Sequence, residues 1–196
     1  MESDYITWDS KTSDIGKDKK QLAALQNEII KTKNAAFAYF FSVEYKLNPH
    51  IMQKVILDKA DAKYAVLFAR DIMNADIKAL QSVVVARAKI KYIDQFDTSI
   101  EAANHKLLQI LILAENNPHY LFELAKRLTS QKTLVRIQDM LIDARAYKYL
   151  RLFAEHIKCA DIEKIERAIL DSGDSSEVKK FARHIKNSKM RQFLLI

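Results

Sequence analysis

The sequence predicts an all-α protein: a single right-handed α-solenoid of about six helical hairpins, each about 28 residues long. Three observations carry that expectation. An apolar anchor returns at a near-constant interval, at Phe41, Phe68, Phe96, Leu124, Phe153 and Phe181. The same residue types recur around it: an aromatic four places earlier (Phe37, Tyr64, Tyr92, Tyr120, Tyr149), a small residue one place later (Ser42, Ala69, Ala125, Ala154, Ala182), and an apolar residue four places later (Tyr45, Ile72, Ile100, Leu128, Ile157, Ile185). The chain of 196 residues also holds only two glycines and two prolines, too few to turn the strands of a sheet.

The elements follow in chain order. Residues 1–20 lack periodicity and read as a flexible N-terminal arm, or an irregular cap using Tyr5, Ile6 and Trp8. Gln21 to Lys33 reads as a lone helix with the apolar stripe Leu22, Leu25, Ile29 and Ile30. Residues 21–196 form one repeat domain, with copies near 34–60, 61–88, 89–116, 117–144, 145–173 and 174–196. In each copy the spacing of four puts the aromatic, the anchor and the later apolar residue on one face of a first helix, called A. Asn34, Asp61, Asn117 and Asp174 precede the anchor by seven places and predict its N-cap; Asn117 is followed by Pro118, well suited to the first helical position. Asp76, Asn104 and Asp161 open a second helix, B, with stripes such as Ile77, Leu80, Val83 and Val84. In the first copy Asn48 and Pro49 open helix B instead, and the third copy diverges, with Asp97 at the small position and Lys89 at the cap. Such a hairpin cannot bury its apolar face alone and stacks on its neighbours.

These residues resemble a family type. The run YAVLFARDI at 64–72 with ADI at 75–77 recurs as YLRLFAEHI at 149–157 with ADI at 160–162, and again as FARHI at 181–185. It resembles the short HEAT-like α-solenoid repeats found in uncharacterised proteins of bacteriophages and bacteria. The resemblance implies a binding surface and names no ligand.

The formal charge is +7 and is unevenly placed: the stretch 179–196 carries Lys179, Lys180, Arg183, Lys186, Lys189 and Arg191 and no acid. That cluster is the expected contact for a protein partner or for phosphates. The sequence ends on Phe193, Leu194, Leu195 and Ile196, and Leu194 with Leu195 extends the expected partner-binding site, including self-association as a homodimer. A second stripe, two and three places past the anchor, holds Arg70, Lys126, Arg127 and Arg183 and offers an alternative role in nucleic-acid binding. Base-stacking aromatics are missing from that stripe because the Tyr and Phe residues read as core; Phe122 is the exception.

Little points to chemistry. Gly16 and Gly173 are isolated, so no phosphate-cradling loop is present. His50, His105, His119, His156 and His184 lack metal-ligand spacing, and Glu101 with His105 reads as a surface contact. Cys159 lies in a turn without a partnered histidine. DNA glycosylases built of similar repeats need aromatics in a basic groove, and the lone tryptophan, Trp8, lies outside the repeats. The expectation is a non-catalytic scaffold without metal or cofactor. A polar N-terminal stretch unlike a targeting signal, one cysteine, and no apolar run of membrane-spanning length fit an intracellular, cytoplasmic protein, in a host cytoplasm if phage-encoded.

Overall fold

The computed structural model describes residues 2–12, 18–185 and 189. Among these the chain is all-α, with thirteen helices and no strand. They are α1 (Glu2–Thr12), α2 (Lys19–Thr32), α3 (Ala35–Tyr45), α4 (Pro49–Lys59), α5 (Ala62–Asp71), α6 (Ile77–Arg87), α7 (Ile90–Ser99), α8 (His105–Glu115), α9 (Pro118–Ala125), α10 (Gln131–Asp143), α11 (Tyr147–His156), α12 (Ile162–Asp171) and α13 (Ser175–His184). None of them is long and apolar enough to cross a membrane.

Capping explains most of the helix starts. Asn34, Asp61, Asn117 and Asp174 each accept from free amides of the first turn of α3, α5, α9 and α13. Asp76, Asn104, Ser130 and Asp161 do the same for the helices that follow them. Asn48 adopts a left-handed conformation and makes no cap; its amide donates to Gln26 instead, and Pro49 starts α4 without it. Lys89 likewise makes no side-chain cap.

The chain forms two compact units, Met1–Leu108 and Gln109–Ile196, with the division falling inside α8. In the first, the A helices α3, α5 and α7 pack in sequence, as do the B helices α2, α4 and α6, and each hairpin (α3 with α4, α5 with α6) packs on itself. In the second, α9, α11 and α13 pack in sequence, with α10 against α9 and α11, and α12 against α11 and α13. The anchors Phe41, Phe68, Phe96, Leu124, Phe153 and Phe181 are all fully buried.

Two features depart from the sequence pattern. Residues 2–12 form a helix, and Trp8 is core at 1% exposure, with its ring edge-on to Phe37 at 5.3 Å and near Phe40 and Tyr45. The indole N–H donates to Glu44 at 2.8 Å. Among the described side chains of this helix Trp8 is the buried apolar one, so no apolar periodicity is left to read. Ile6, in contrast, is exposed. The second departure is the buried stripe of the A helices. It runs through the position three before the anchor (Ala38, Ala65, Ile93, Leu121, Leu150), while Phe37, Tyr92, Tyr120 and Tyr149, four before it, stay half-buried. The two positions lie about 100° apart on a helix, and the stack of neighbouring A helices selects the nearer one.

A buried glutamine locks the B helices in register. Gln53 Oε1 accepts from the Asp76 amide at 2.9 Å, Gln81 from Asn104 at 2.8 Å, and Gln138 from Asp161 at 2.9 Å. Each ties one B helix to the start of the next B helix. Glu166 stands at the matching place in α12, buried, with Oε1 lacking a hydrogen-bond partner among the described residues. Glu166→Gln is therefore expected to raise the unfolding free energy of the full chain in urea titrations, by about 1 kcal/mol, because it replaces a buried carboxyl group with an amide of the kind the other three copies use.

Candidate interaction site

The basic cluster begins on α13. Asp174 caps this helix and Phe181 with Ala182 buries one face, which turns Lys179, Lys180, Arg183 and His184 outward. One acid of the same helix and one of the preceding helix reach part of the cluster. Lys180 Nζ meets Glu177 at 2.6 Å, and Lys189 Nζ meets Glu163 of α12 at 2.6 Å, so these two are not the unopposed charges the sequence indicates. The Lys189 ammonium draws the Glu163 carboxyl below its ordinary range, and Glu163 in turn raises Lys189. Lys179 and Arg183 are exposed without an ion-pair partner among the described residues. Lys186, Arg191, Leu194 and Leu195 lie outside the described residues.

The proposed edge stripe is largely neutralised. In unit 1, Arg70 grips Asp71 through Nε at 2.7 Å and a terminal nitrogen at 2.8 Å, and the Tyr39 hydroxyl donates to the same carboxylate at 2.6 Å. Arg70, first, and Tyr39 hold Asp71 below the usual carboxylate range; burial and then Asp71 push the Tyr39 phenol up to about 12. In unit 2, Lys126 pairs with Glu123 at 2.6 Å and lies over the Phe122 ring at 5.3 Å, while Arg127 is exposed. Phe122 itself is buried beside Tyr149 and His156 and is not free to stack on a base.

The divergence of the third copy has a structural counterpart. Asp97, on α7 at the small position, has a side chain only 3% exposed, and its Oδ1 lies 2.9 Å from His105 Nδ1. His105 Nε2 lies 3.1 Å from the carbonyl of Glu101, so the histidine serves Asp97 and the backbone, not the Glu101 carboxylate. Asp97, first, and the Glu101 carbonyl raise the His105 pKa above 6.5. The stability this pair supplies is then fully present below pH 6.5 and is lost as the pH rises through the raised folded value. Since the His105 side chain is 42% exposed, the loss between pH 6 and pH 9 is expected to stay below about 1 kcal/mol. Urea titrations at the two pH values check it: the wild-type decline is expected to flatten in His105→Gln.

Sequence reasoning missed a second repeated feature. In four consecutive copies a basic residue precedes the tyrosine of helix A, buried at Tyr64 and half-buried in the other three: Lys63 and Tyr64, Lys91 and Tyr92, His119 and Tyr120, Lys148 and Tyr149. In three of them the ammonium lies over the ring, at 4.7, 6.0 and 5.4 Å, and in the fourth the His119 ring meets Tyr120 edge-on at 4.9 Å. The signal was present as a doublet at the repeat spacing, hidden because the tyrosines read as core. In the first of these pairs, Lys63 Nζ and the Tyr64 hydroxyl both hold Asp4 Oδ2 of α1, at 2.6 and 2.5 Å. Lys63, first, and Tyr64 draw the Asp4 carboxyl below its ordinary range, while burial and then Asp4 push Tyr64 up to about 12.

Among the described residues no three of His, Cys, Asp or Glu converge as a metal-binding set. An open apolar hollow of about 440 Å³ in unit 1, between Val43, Pro49, Ile72 and the exposed Met73, has no polar group beyond Ser42, Lys46, Asp71 and Asn74. The chain matches no family model, no curated protein and no solved structure.

Proposed function

We propose that the chain is a non-catalytic scaffold that binds another protein, built as a right-handed α-solenoid of about six short HEAT-like hairpins over residues 21–196. The observation that carries this reading is the repetition of one contact set: a buried anchor in each A helix and a glutamine joining successive B helices at 53 to 76, 81 to 104 and 138 to 161. Stacking consumes the large apolar groups, and the outward faces are left to vary from copy to copy, as they do in repeat scaffolds. The resemblance to repeats of bacteriophage and bacterial proteins favours an accessory or host-factor-binding role in the cytoplasm.

The proposed contact is the C-terminal cluster, with Lys179 and Arg183 supplying charge alongside Lys186, Lys189 and Arg191, and Leu194 with Leu195 supplying apolar area. Pairing of Arg70 with Asp71 and of Lys126 with Glu123 leaves little free charge for phosphates, so protein docking is retained over nucleic-acid binding. Affinity capture with the full chain from its native host tests the reading. The double variant Lys179→Glu with Arg183→Glu, with unchanged helical circular dichroism, is expected to lose the partner that the wild type retains. Equal recovery of that partner by both proteins contradicts it. Light scattering on Leu194→Ser with Leu195→Ser tests self-association, and equal monomer masses for variant and wild type exclude the dimer.

A further inference from the structure

We propose that unit 1 carries a seat for an acid-bearing helix of a partner protein, in which Lys91 and Tyr92 receive a carboxylate and the groove between α5 and α7 receives an aromatic side chain one turn further along. This rests on the reading of the chain as a protein-binding scaffold, but uses a different surface from the C-terminal cluster.

The chain already contains one filled example. On α1, Asp4 and Trp8 stand four residues apart and so share a helix face. Asp4 is held by Lys63 and Tyr64 on α5, while Trp8 rests on Phe37 and Phe40 of α3, the preceding A helix. The filled seat thus consists of a basic residue and a tyrosine on one A helix and an apolar surface on the A helix before it.

Moving one repeat along reproduces the polar half, and Val66 with Leu67 on α5 supplies the apolar wall, since Tyr64, the counterpart of Phe37, is buried and engaged by Asp4. Lys63 and Tyr64 are replaced by Lys91 and Tyr92 on α7, and Phe40 by Leu67 on α5. Between α5 and α7 lies a groove of about 370 Å³ whose walls include Val66, Leu67, Lys91 and Tyr92, with Lys63 and Arg70 at its sides. No acidic residue lines it. Among the described residues Lys91 has no ion-pair partner, and the Tyr92 hydroxyl makes no hydrogen bond, whereas their counterparts Lys63 and Tyr64 are both engaged by Asp4. A cation and a phenol side by side present two donors to one carboxylate oxygen, the arrangement Asp4 displays, and such charge-assisted bonds are the stronger kind. Charge complementarity therefore specifies an acidic segment, and the groove beside the pair specifies an aromatic or large apolar residue one turn away.

The test uses the full chain and, as probe, a fluorescein-labelled synthetic peptide copying residues 1–12. Saturable one-site binding is expected, weakening as salt rises. Lys91→Glu is expected to raise the dissociation constant about tenfold or more, and Tyr92→Phe several-fold, with helical circular dichroism unchanged since Lys91 is exposed. A probe carrying Asp4→Asn is expected to bind as weakly as the wild-type probe binds Lys91→Glu. Absence of saturable binding to the wild type overturns the proposal. So does binding that is indifferent to Lys91→Glu but abolished by Lys63→Glu, since the probe would then be replacing α1 in its own seat. Failure here leaves partner capture through Lys179 and Arg183 intact, so the two readings fail separately.

Discussion

Phe68→Ala is expected to destabilise the full chain by about 3–5 kcal/mol in urea titrations followed by circular dichroism. Phe68 is fully buried on α5, and α5 packs directly against α3, α4, α6 and α7. Removing the ring deletes a large apolar contact and leaves a cavity that this many fixed neighbours cannot close. Phe153→Ala on α11, whose neighbours are α9, α10, α12 and α13, is expected to behave alike in unit 2. Hydrogen exchange is expected to show the loss as faster exchange in the helices packed on the altered one. A change below about 1 kcal/mol at both positions contradicts their role as anchors.

Trp8→Ala is the second large effect, of a different kind. Among the described side chains of α1, Trp8 and Thr12 are buried, and Trp8 is the apolar one. Truncation is expected to release α1 from α3 while α3 to α7 remain folded, at a cost bounded by the docking energy of α1 and not exceeding about 3–5 kcal/mol. The sole tryptophan makes the wild type its own reporter. Its emission is expected to be blue-shifted and poorly quenched by acrylamide at neutral pH. As the pH falls below 3.8 and through the lowered folded value of Asp4, the Asp4 contribution is lost and quenching is expected to rise. Trp8 emission typical of exposed indole at pH 7 contradicts the docked α1.

The repeat was legible because burial of the anchor tolerates almost nothing but Phe or Leu, and because N-caps mark helix starts with Asn or Asp. The anchors and the caps at 34, 61, 76, 104, 117, 161 and 174 were therefore readable from spacing alone. The glutamines at 53, 81 and 138 were equally periodic but polar, and a polar residue in a helix reads as solvent-facing until its partner, a backbone amide 23 residues away, is seen. Helix α1 was hidden because its docking depends on Trp8 meeting a ring cluster on α3, a tertiary contact without local period. The charge cluster was visible as composition, and Glu177 three residues before Lys180 was a local pair open to reading, whereas Glu163 reaches Lys189 only through folding. The same holds for Asp97, whose burial is compensated by His105 on the following helix.

Small-angle X-ray scattering on the monomeric full chain tests the stacked-hairpin reading most directly. A compact 196-residue domain has a radius of gyration of about 16 Å. If the six proposed hairpins continue as one side-by-side stack, the radius of gyration is expected to exceed that value and the pair-distance distribution to be skewed to long vectors. That skewed, extended profile is the predicted result, and a symmetric distribution with a radius near 16 Å contradicts it.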